Sequence, residues 1–380
     1  SPSRSTLISG VYATSMGTQN MRSNYPFSEH IRFFPEYLKQ AGYYTTNNSK
    51  TDYNTSSENM KNMNLTWDES GKNAHYENKS KDQPFFAVFN LMVSHESSLF
   101  PWEENLKHEN SKIEIPPYLP RTPEMQHDAA QYYDVMERMD AQVGKILEDL
   151  DRAGLSENTI VFYFSDHGGV LGRSKQYLYE SGLHAPLIIK FPAKYRTLSP
   201  IEPGTKIDRL VSFVDFAPSI LNMLEMKIPE YMEGQPFLGK AQPLQNKYIY
   251  SYKDRMDERF DMARGVRSKE FFYRKNYMPQ RIYGQFIQYY WRTPSIRSWE
   301  KAYEKGQLNQ TQSAFWESKP IEELYSVADD PHNIHNLVDD PQFAKQLEEM
   351  RNANLKWELQ YQDIGFIPEP MIEELAKKTS

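Results

Sequence analysis

The chain has 380 residues, 39% of them hydrophobic, a formal net charge of −7 and no cysteine. That length suits one large domain with a smaller one, and the acidic balance speaks against a general nucleic-acid binder, which needs a basic face. No apolar run approaches the ~20 residues that span a bilayer, and without Cys this stretch has no disulfide, zinc–thiolate site or cysteine nucleophile.

The chain opens on "SPSRSTLISG", which reads into a short apolar helix. "FFPEYLKQA" is helix-like, and "GYYTTNN" after it reads as a strand. Asn54 to Gln83 is polar and has little periodicity: a lid, a rim or a solvated excursion. "FFAVFNLMV" is a continuous apolar run, the pattern of a strand buried on both faces. A second irregular insertion, Glu103 to Arg121, contains "IPPYLPRTP".

The spacing then predicts a long helix over Thr122 to Ala153. Met136, Met139, Val143, Ile146, Leu147 and Leu150 form its apolar stripe, and Gly154 stops it. "TIVFYFS" and "PLIIKFP" are two further strands, and a helix is expected near Asp215 to Met226. Past Lys247 the character changes. "KEFFYRKNY" and "ELYSV" read as short strands. Asp340 caps a final helix with Pro341 in its first turn and Phe343, Leu347, Met350 and Trp357 along its stripe. The alternation of strands and helices predicts an α/β domain over 1–247, a mostly parallel sheet sandwiched by helices. Residues 248–380 then form a smaller α+β subdomain with a small antiparallel sheet.

In an open α/β sheet, ligands bind at the carboxyl ends of the strands. Lys50 and Asp52 follow the first predicted strand, His95 and Glu96 the second, and Asp166, His167 and Lys175 the third. Carboxylate and imidazole suit a divalent metal, and ammonium groups suit an anion beside it. The negative global charge does not prevent such a local site.

"SDHGGVLGRSKQYLYESGLHAPLIIKFP" resembles the late signature of the formylglycine-dependent sulfatases, members of the alkaline phosphatase superfamily. "ELYSVADDPHNIHNLVDDP" is similar to that family's C-terminal segment. "SPSR" matches the tail of its Cys-x-Pro-x-Arg motif, whose Cys becomes formylglycine. Together with "SHESSLF" and "KTDYN", these stretches look most like polysaccharide sulfatases of marine bacteria, carrageenan-type enzymes first, with the heparan N-sulfatase branch a neighbour. The resemblance runs from end to end of the chain. It implies an alkaline-phosphatase-like mixed, mostly parallel sheet. It also implies hydrolysis of sulfate esters on a carbohydrate, and a periplasmic or secreted location.

The same resemblance assigns roles. The nucleophile is expected immediately before Ser1, with Arg4 holding it and two metal-binding Asp residues further upstream. Asp166 and His167 would ligate calcium, and Lys50 and Lys175 would contact sulfate. His95 would protonate the leaving sugar oxygen. Asp52 stands where the family usually has His, and its role is open. His184, Arg255 and Arg264 are candidate substrate contacts, with packing or a solvated charge run as the plainer alternative. Two other readings remain: a phosphatase or phosphodiesterase of the same superfamily, with two zinc ions, and a non-catalytic carbohydrate binder.

Overall fold

A computed structural model describes residues 2–26, 28–56, 63–240 and 245–379. The position before Ser1, Ser1 itself and part of the first insertion (57–62) lie outside the described residues. The main elements, in chain order, begin with α1 (Pro2–Ser9), β1 (Tyr44–Asn48), β2 (Glu69–Ser70), β3 (Phe85–Phe89) and α2 (Pro123–Arg152). They continue with β4 (Val161–Phe164), β5 (Leu187–Lys190), α3 (Phe216–Met223), β6 (Ile249–Met256) and β7 (Arg259–Arg267). The last are β8 (Phe271–Asn276), α4 (Pro294–Glu304), β9 (Glu322–Ser326) and α5 (Ala344–Gln360). No helix among the described residues is long and apolar enough to cross a membrane.

The chain forms two compact units that alternate along the sequence. Unit 1 holds 1–90, 195–255 and 352–380, and unit 2 holds 91–194 and 256–351.

Unit 1 is built on the parallel sheet β2-β1-β3. β2 comes from the first insertion, which the sequence presents as irregular. Two residues of strand are too short to carry a period, so nothing in the pattern announces them. A core of Ile8, Val11, Phe33, Phe34, Leu38, Trp67 and Leu221 packs α1 and α3 together. α3 starts where expected, its entry fixed by a capping box between Ser212 and Asp215. A second cluster sets Tyr12 edge-on to Trp357 of α5, with ring centroids 5.2 Å apart. The stripe predicted for α5 holds at Leu347, Met350 and Trp357, which are buried.

Unit 2 packs α2 on α4 over an aromatic core of Tyr177, Tyr290, Trp291, Trp299, Phe315 and Trp316. Thr122 caps α2 and also meets Ser298 at 2.7 Å. The predicted stripe of α2 is only partly right. Met139 and Leu150 are buried, but Leu147 is 41% exposed. The helix buries its first half most deeply, through Met125, Ala129, Ala130 and Val135. The second insertion is part of this core, because Ile113, Ile115, Tyr118 and Leu119 are buried in it. β4 and β5 pair antiparallel, and β7, β8 and β9 form an antiparallel sheet in that order. The apolar runs of β3 and β4 are half-buried rather than buried on both faces. Each has one strand neighbour among the described residues.

Candidate functional site

The expected residues gather in two places, one in each unit. In unit 1, Arg4 lies on the first turn of α1 and is 8% exposed. Its guanidinium donates to the carbonyls of Lys50 at 2.7 Å and Thr51 at 2.8 Å. An Arg guanidinium holds two acceptors in the fixed geometry of a planar fork, which a Lys ammonium does not have. The loop after β1 is thereby fixed at the residue that carries the ammonium. Lys50 Nζ lies 3.9 Å from Asp52, whose backbone is left-handed at φ 49°. Arg255 is not part of this group. It forms a two-pronged ion pair with Glu369, at 2.6 and 2.7 Å, and donates to the carbonyl of Met21.

In unit 2, His95, Glu96, Asp166, His167 and Lys175 follow the ends of β3 and β4, in the short segments where an α/β fold keeps its polar groups. Lys175 Nζ is 2.7 Å from Glu96 Oε1 and 3.4 Å from His95 Nε2. His95 Nδ1 lies 3.0 Å from Ser97 Oγ and 3.3 Å from the Ser97 amide. With its proton on Nδ1, the ring donates to Ser97 Oγ and accepts from Lys175. With the proton on Nε2, Nδ1 accepts from the amide. The lysine contact favours the proton on Nδ1, because an Nε2–H would face an ammonium that can only donate.

His167 Nδ1–H donates to the Gly168 carbonyl at 2.9 Å, which leaves the Nε2 lone pair facing Asp166 Oδ1 at 3.5 Å. Burial outweighs the opposing charge of Asp166 and, with the Lys175 ammonium, holds the imidazole below its ordinary pKa, which favours the neutral ring. A carboxylate oxygen and an imidazole lone pair facing one another are two acceptors, an arrangement that a cation between them satisfies. Asp166 and His167 therefore fit as part of a metal shell. Among the described residues, no group of three or more His, Cys, Asp or Glu is placed to hold an ion.

The loop between these residues is wound tightly. A Cβ on Gly168 would meet the Ser181 carbonyl at 2.1 Å, and one on Gly182 the Ser174 carbonyl at 2.2 Å. Arg173 anchors it by donating to the carbonyls of His332 and Asn333.

His184 and Arg264 differ sharply in exposure. The side chain of His184 is exposed, and its hydrogen bond to Glu180 raises its pKa. Arg264 is fully buried in β7, with no surface left for a sugar. Sequence reasoning placed Glu96 at the strand end but missed its burial, and it missed Tyr289 and Arg292 altogether. Glu96 is buried at the centre of the cluster. Tyr289 stands edge-on to His95, with ring centroids 6.3 Å apart, and the Arg292 guanidinium lies over both Phe100 and Tyr289. Glu96 was legible as the neighbour of His95; the Tyr289–Arg292 pair, distant in sequence, carried no signal.

Comparison with known proteins supplies the context. The family profile described as Sulfatase matches residues 1–226. A profile described as N-sulphoglucosamine sulphohydrolase, C-terminal, matches residues 172–288. An ulvan-active sulfatase of Formosa agariphila is 37% identical over 417 residues, covering 97% of this chain and 68% of that protein. The N-sulphoglucosamine sulphohydrolase of Homo sapiens is 27% identical over 279 residues, covering 68% of this chain and 53% of that protein. The solved structure of a 2-O GAG sulfatase aligns with a TM-score of 0.66 at 16% identity, over 95% of this chain and 82% of that one. At that identity the likeness establishes the fold alone.

Proposed function

The chain belongs to the sulfatase family, and from that premise we propose that it hydrolyses sulfate esters on a sulfated algal poly- or oligosaccharide. Ulvan comes first among the polymers, because the ulvan-active relative matches nearly the whole chain. Carrageenan, expected from the sequence, comes second. The observation that carries the reading is the unit 2 cluster: a histidine with Nδ1 on Ser97 and Nε2 against a lysine that a buried carboxylate fixes.

In this reading Lys175 donates to a sulfuryl oxygen and offsets the charge that grows as the bond from sulfur to the sugar oxygen breaks. His95 gives a proton to that oxygen. A sugar alkoxide leaves poorly, so the proton transfer contributes about 10²–10⁴-fold. By resemblance Lys50 contacts sulfate and Arg4 holds the nucleophile; support comes from the Arg4 clamp on the Lys50 loop. When present, a formylglycine supplies the nucleophile and a calcium ion neutralises charge on the sulfuryl oxygens. Asp166 and His167 would hold that ion, His167 through its neutral Nε2. The proposed location is periplasmic or secreted, where a polymeric substrate is met.

The test is sulfate release by the full-length protein from ulvan, carrageenan and heparan oligosaccharides, with a phosphate monoester as control. Sulfate release from an algal polymer, with calcium found by elemental analysis, is expected. Hydrolysis of the phosphate ester alone, with two zinc ions bound, would overturn the reading. A second reading, N-desulfation of a glycosaminoglycan, has its own support in the match at residues 172–288. It predicts sulfate release from N-sulfoglucosamine with a free amine left behind.

A further inference from the structure

Glu96 is a buried carboxylate, 3% exposed, at the centre of the unit 2 cluster. Its Oε1 holds Lys175 at 2.7 Å, while Oε2 is buried with no hydrogen-bond partner among the described residues. The charge reaches further, since Glu96 helps to raise the pKa of the buried phenols Tyr177 and Tyr290, after burial itself.

A second buried ion pair in the same unit shows what full satisfaction looks like. Glu323 takes both prongs of Arg274 and also accepts from Tyr283, Tyr325 and Asn276. Both carboxylate oxygens of Glu323 are used, as expected of a pair that serves the fold. Glu96 is under-satisfied by comparison, and a buried carboxylate with an orphaned oxygen costs stability. The ammonium it holds lies against His95 Nε2.

We infer that Glu96 is a positioning residue that acts through Lys175. It keeps the ammonium beside His95 while no sulfate is bound, so that the cation and the proton donor stand in register when the ester arrives. It also opposes the charge of Lys175, so that an anion binding there must draw the ammonium away from a competitor. The inference rests on the reading of Lys175 as a sulfate contact.

The two effects separate in the kinetics. Glu96→Gln keeps the shape and removes the charge. Substrate KM, and the Ki of inorganic sulfate, are expected to fall severalfold because the competing anion is gone. The kcat is expected to fall about 10- to 100-fold because Lys175 is no longer held, the pattern of lost ground-state destabilisation. Glu96→Asp keeps the charge at shorter reach, so KM should stay at the wild-type value while kcat falls less. A Glu96→Gln enzyme with unchanged KM and Ki and a lowered melting temperature would make Glu96 merely structural and overturn the inference. So would a raised KM, or wild-type kinetics. If Glu96→Gln does not fold, Glu96→Asp decides: wild-type kcat overturns the inference, and lowered kcat at constant KM upholds it. Binding of inorganic sulfate, followed by calorimetry, separates the two readings. If sulfate binds wild-type protein but not Lys175→Met while no ester is hydrolysed, the proposed activity fails and the placement of Lys175 survives. If Glu96→Gln leaves sulfate affinity unchanged, the role of Glu96 fails alone.

Discussion

The two lysines that the resemblance assigns to sulfate are held in opposite ways. Lys50, in unit 1, is placed through its backbone. Arg4 grips the consecutive carbonyls of Lys50 and Thr51, and the ammonium has Asp52 at 3.9 Å. Lys175, in unit 2, is placed through its side chain, by a buried carboxylate at 2.7 Å. Only 15% of its side chain is exposed. A partly exposed ion pair contributes about 0–1 kcal/mol, whereas hydrogen bonds to a charged donor contribute about 1.5–3 kcal/mol. In unit 1 the clamp should therefore matter and the ion pair should not. In unit 2 the charges themselves should matter.

The strongest way to break this contrast lies in unit 2. His95→Ala is expected to lower turnover of sugar sulfates about 10²–10⁴-fold, the usual range for a general acid. An aryl sulfate, whose leaving group needs no proton, should lose far less. Equal losses on both substrates would remove His95 from proton transfer and leave the unit 2 cluster as a charge cluster only.

Next comes the clamp. Arg4→Lys keeps the charge but cannot reach two carbonyls with a planar fork. The melting temperature should fall by the equivalent of about 1.5–3 kcal/mol, and activity should fall because the Lys50 loop is released. An unchanged melting temperature, measured by calorimetry, would show that the loop holds itself and that Arg4 acts on the substrate side alone.

The sequence made the family and the fold class legible because they are written in local stretches. "SDHGG" followed by a Lys, and "ELYSV" followed by "DDP", sit at fixed offsets in one segment each. The strands β3, β4 and β5 were visible as apolar runs for the same reason, and β1 as the short stretch "GYYTTNN". What was not legible depends on partners far along the chain. Arg255 reads as part of a charge run, and only the fold shows it paired with Glu369. Arg264 reads the same way and is buried in a strand. The stripe of α2 could be counted, but which half of the helix is covered depends on α4, more than a hundred residues later. Glu96 was on view beside His95, yet its burial and its grip on Lys175 are tertiary facts.

Unit 1 also carries a pH dependence near α1. Glu233 accepts from the Tyr12 amide at 2.7 Å and from Ser15 Oγ at 3.1 Å. Burial outweighs these bonds and raises its pKa from 4.5 to about 7. A carboxyl whose folded-state pKa is raised binds its proton more tightly in the folded state. Its stabilising contribution is complete below about pH 4.5 and is lost as pH rises towards about 7. Glu233→Gln retains an acceptor for Tyr12 and Ser15 but does not titrate. The melting temperature of the wild type relative to this variant should fall between pH 4.5 and pH 7. Parallel curves over that window would show that Glu233 does not titrate there.

The smallest effect is the one that sharpens the contrast most. Asp52→Asn removes the one carboxylate paired with Lys50 among the described residues, and both side chains are partly exposed. Surface substitutions of this kind stay within about ±0.5 kcal/mol, so the melting temperature should not move. Activity then isolates what Asp52 does. If it only steadies Lys50, kcat and KM should change less than about threefold, because the Arg4 clamp still holds the backbone. A large fall in kcat at constant stability would mean that Asp52 handles a proton, as the histidine usual at this position would. Both lysine sites would then rely on a neighbouring carboxylate, and the difference in how they are held would lie in burial alone.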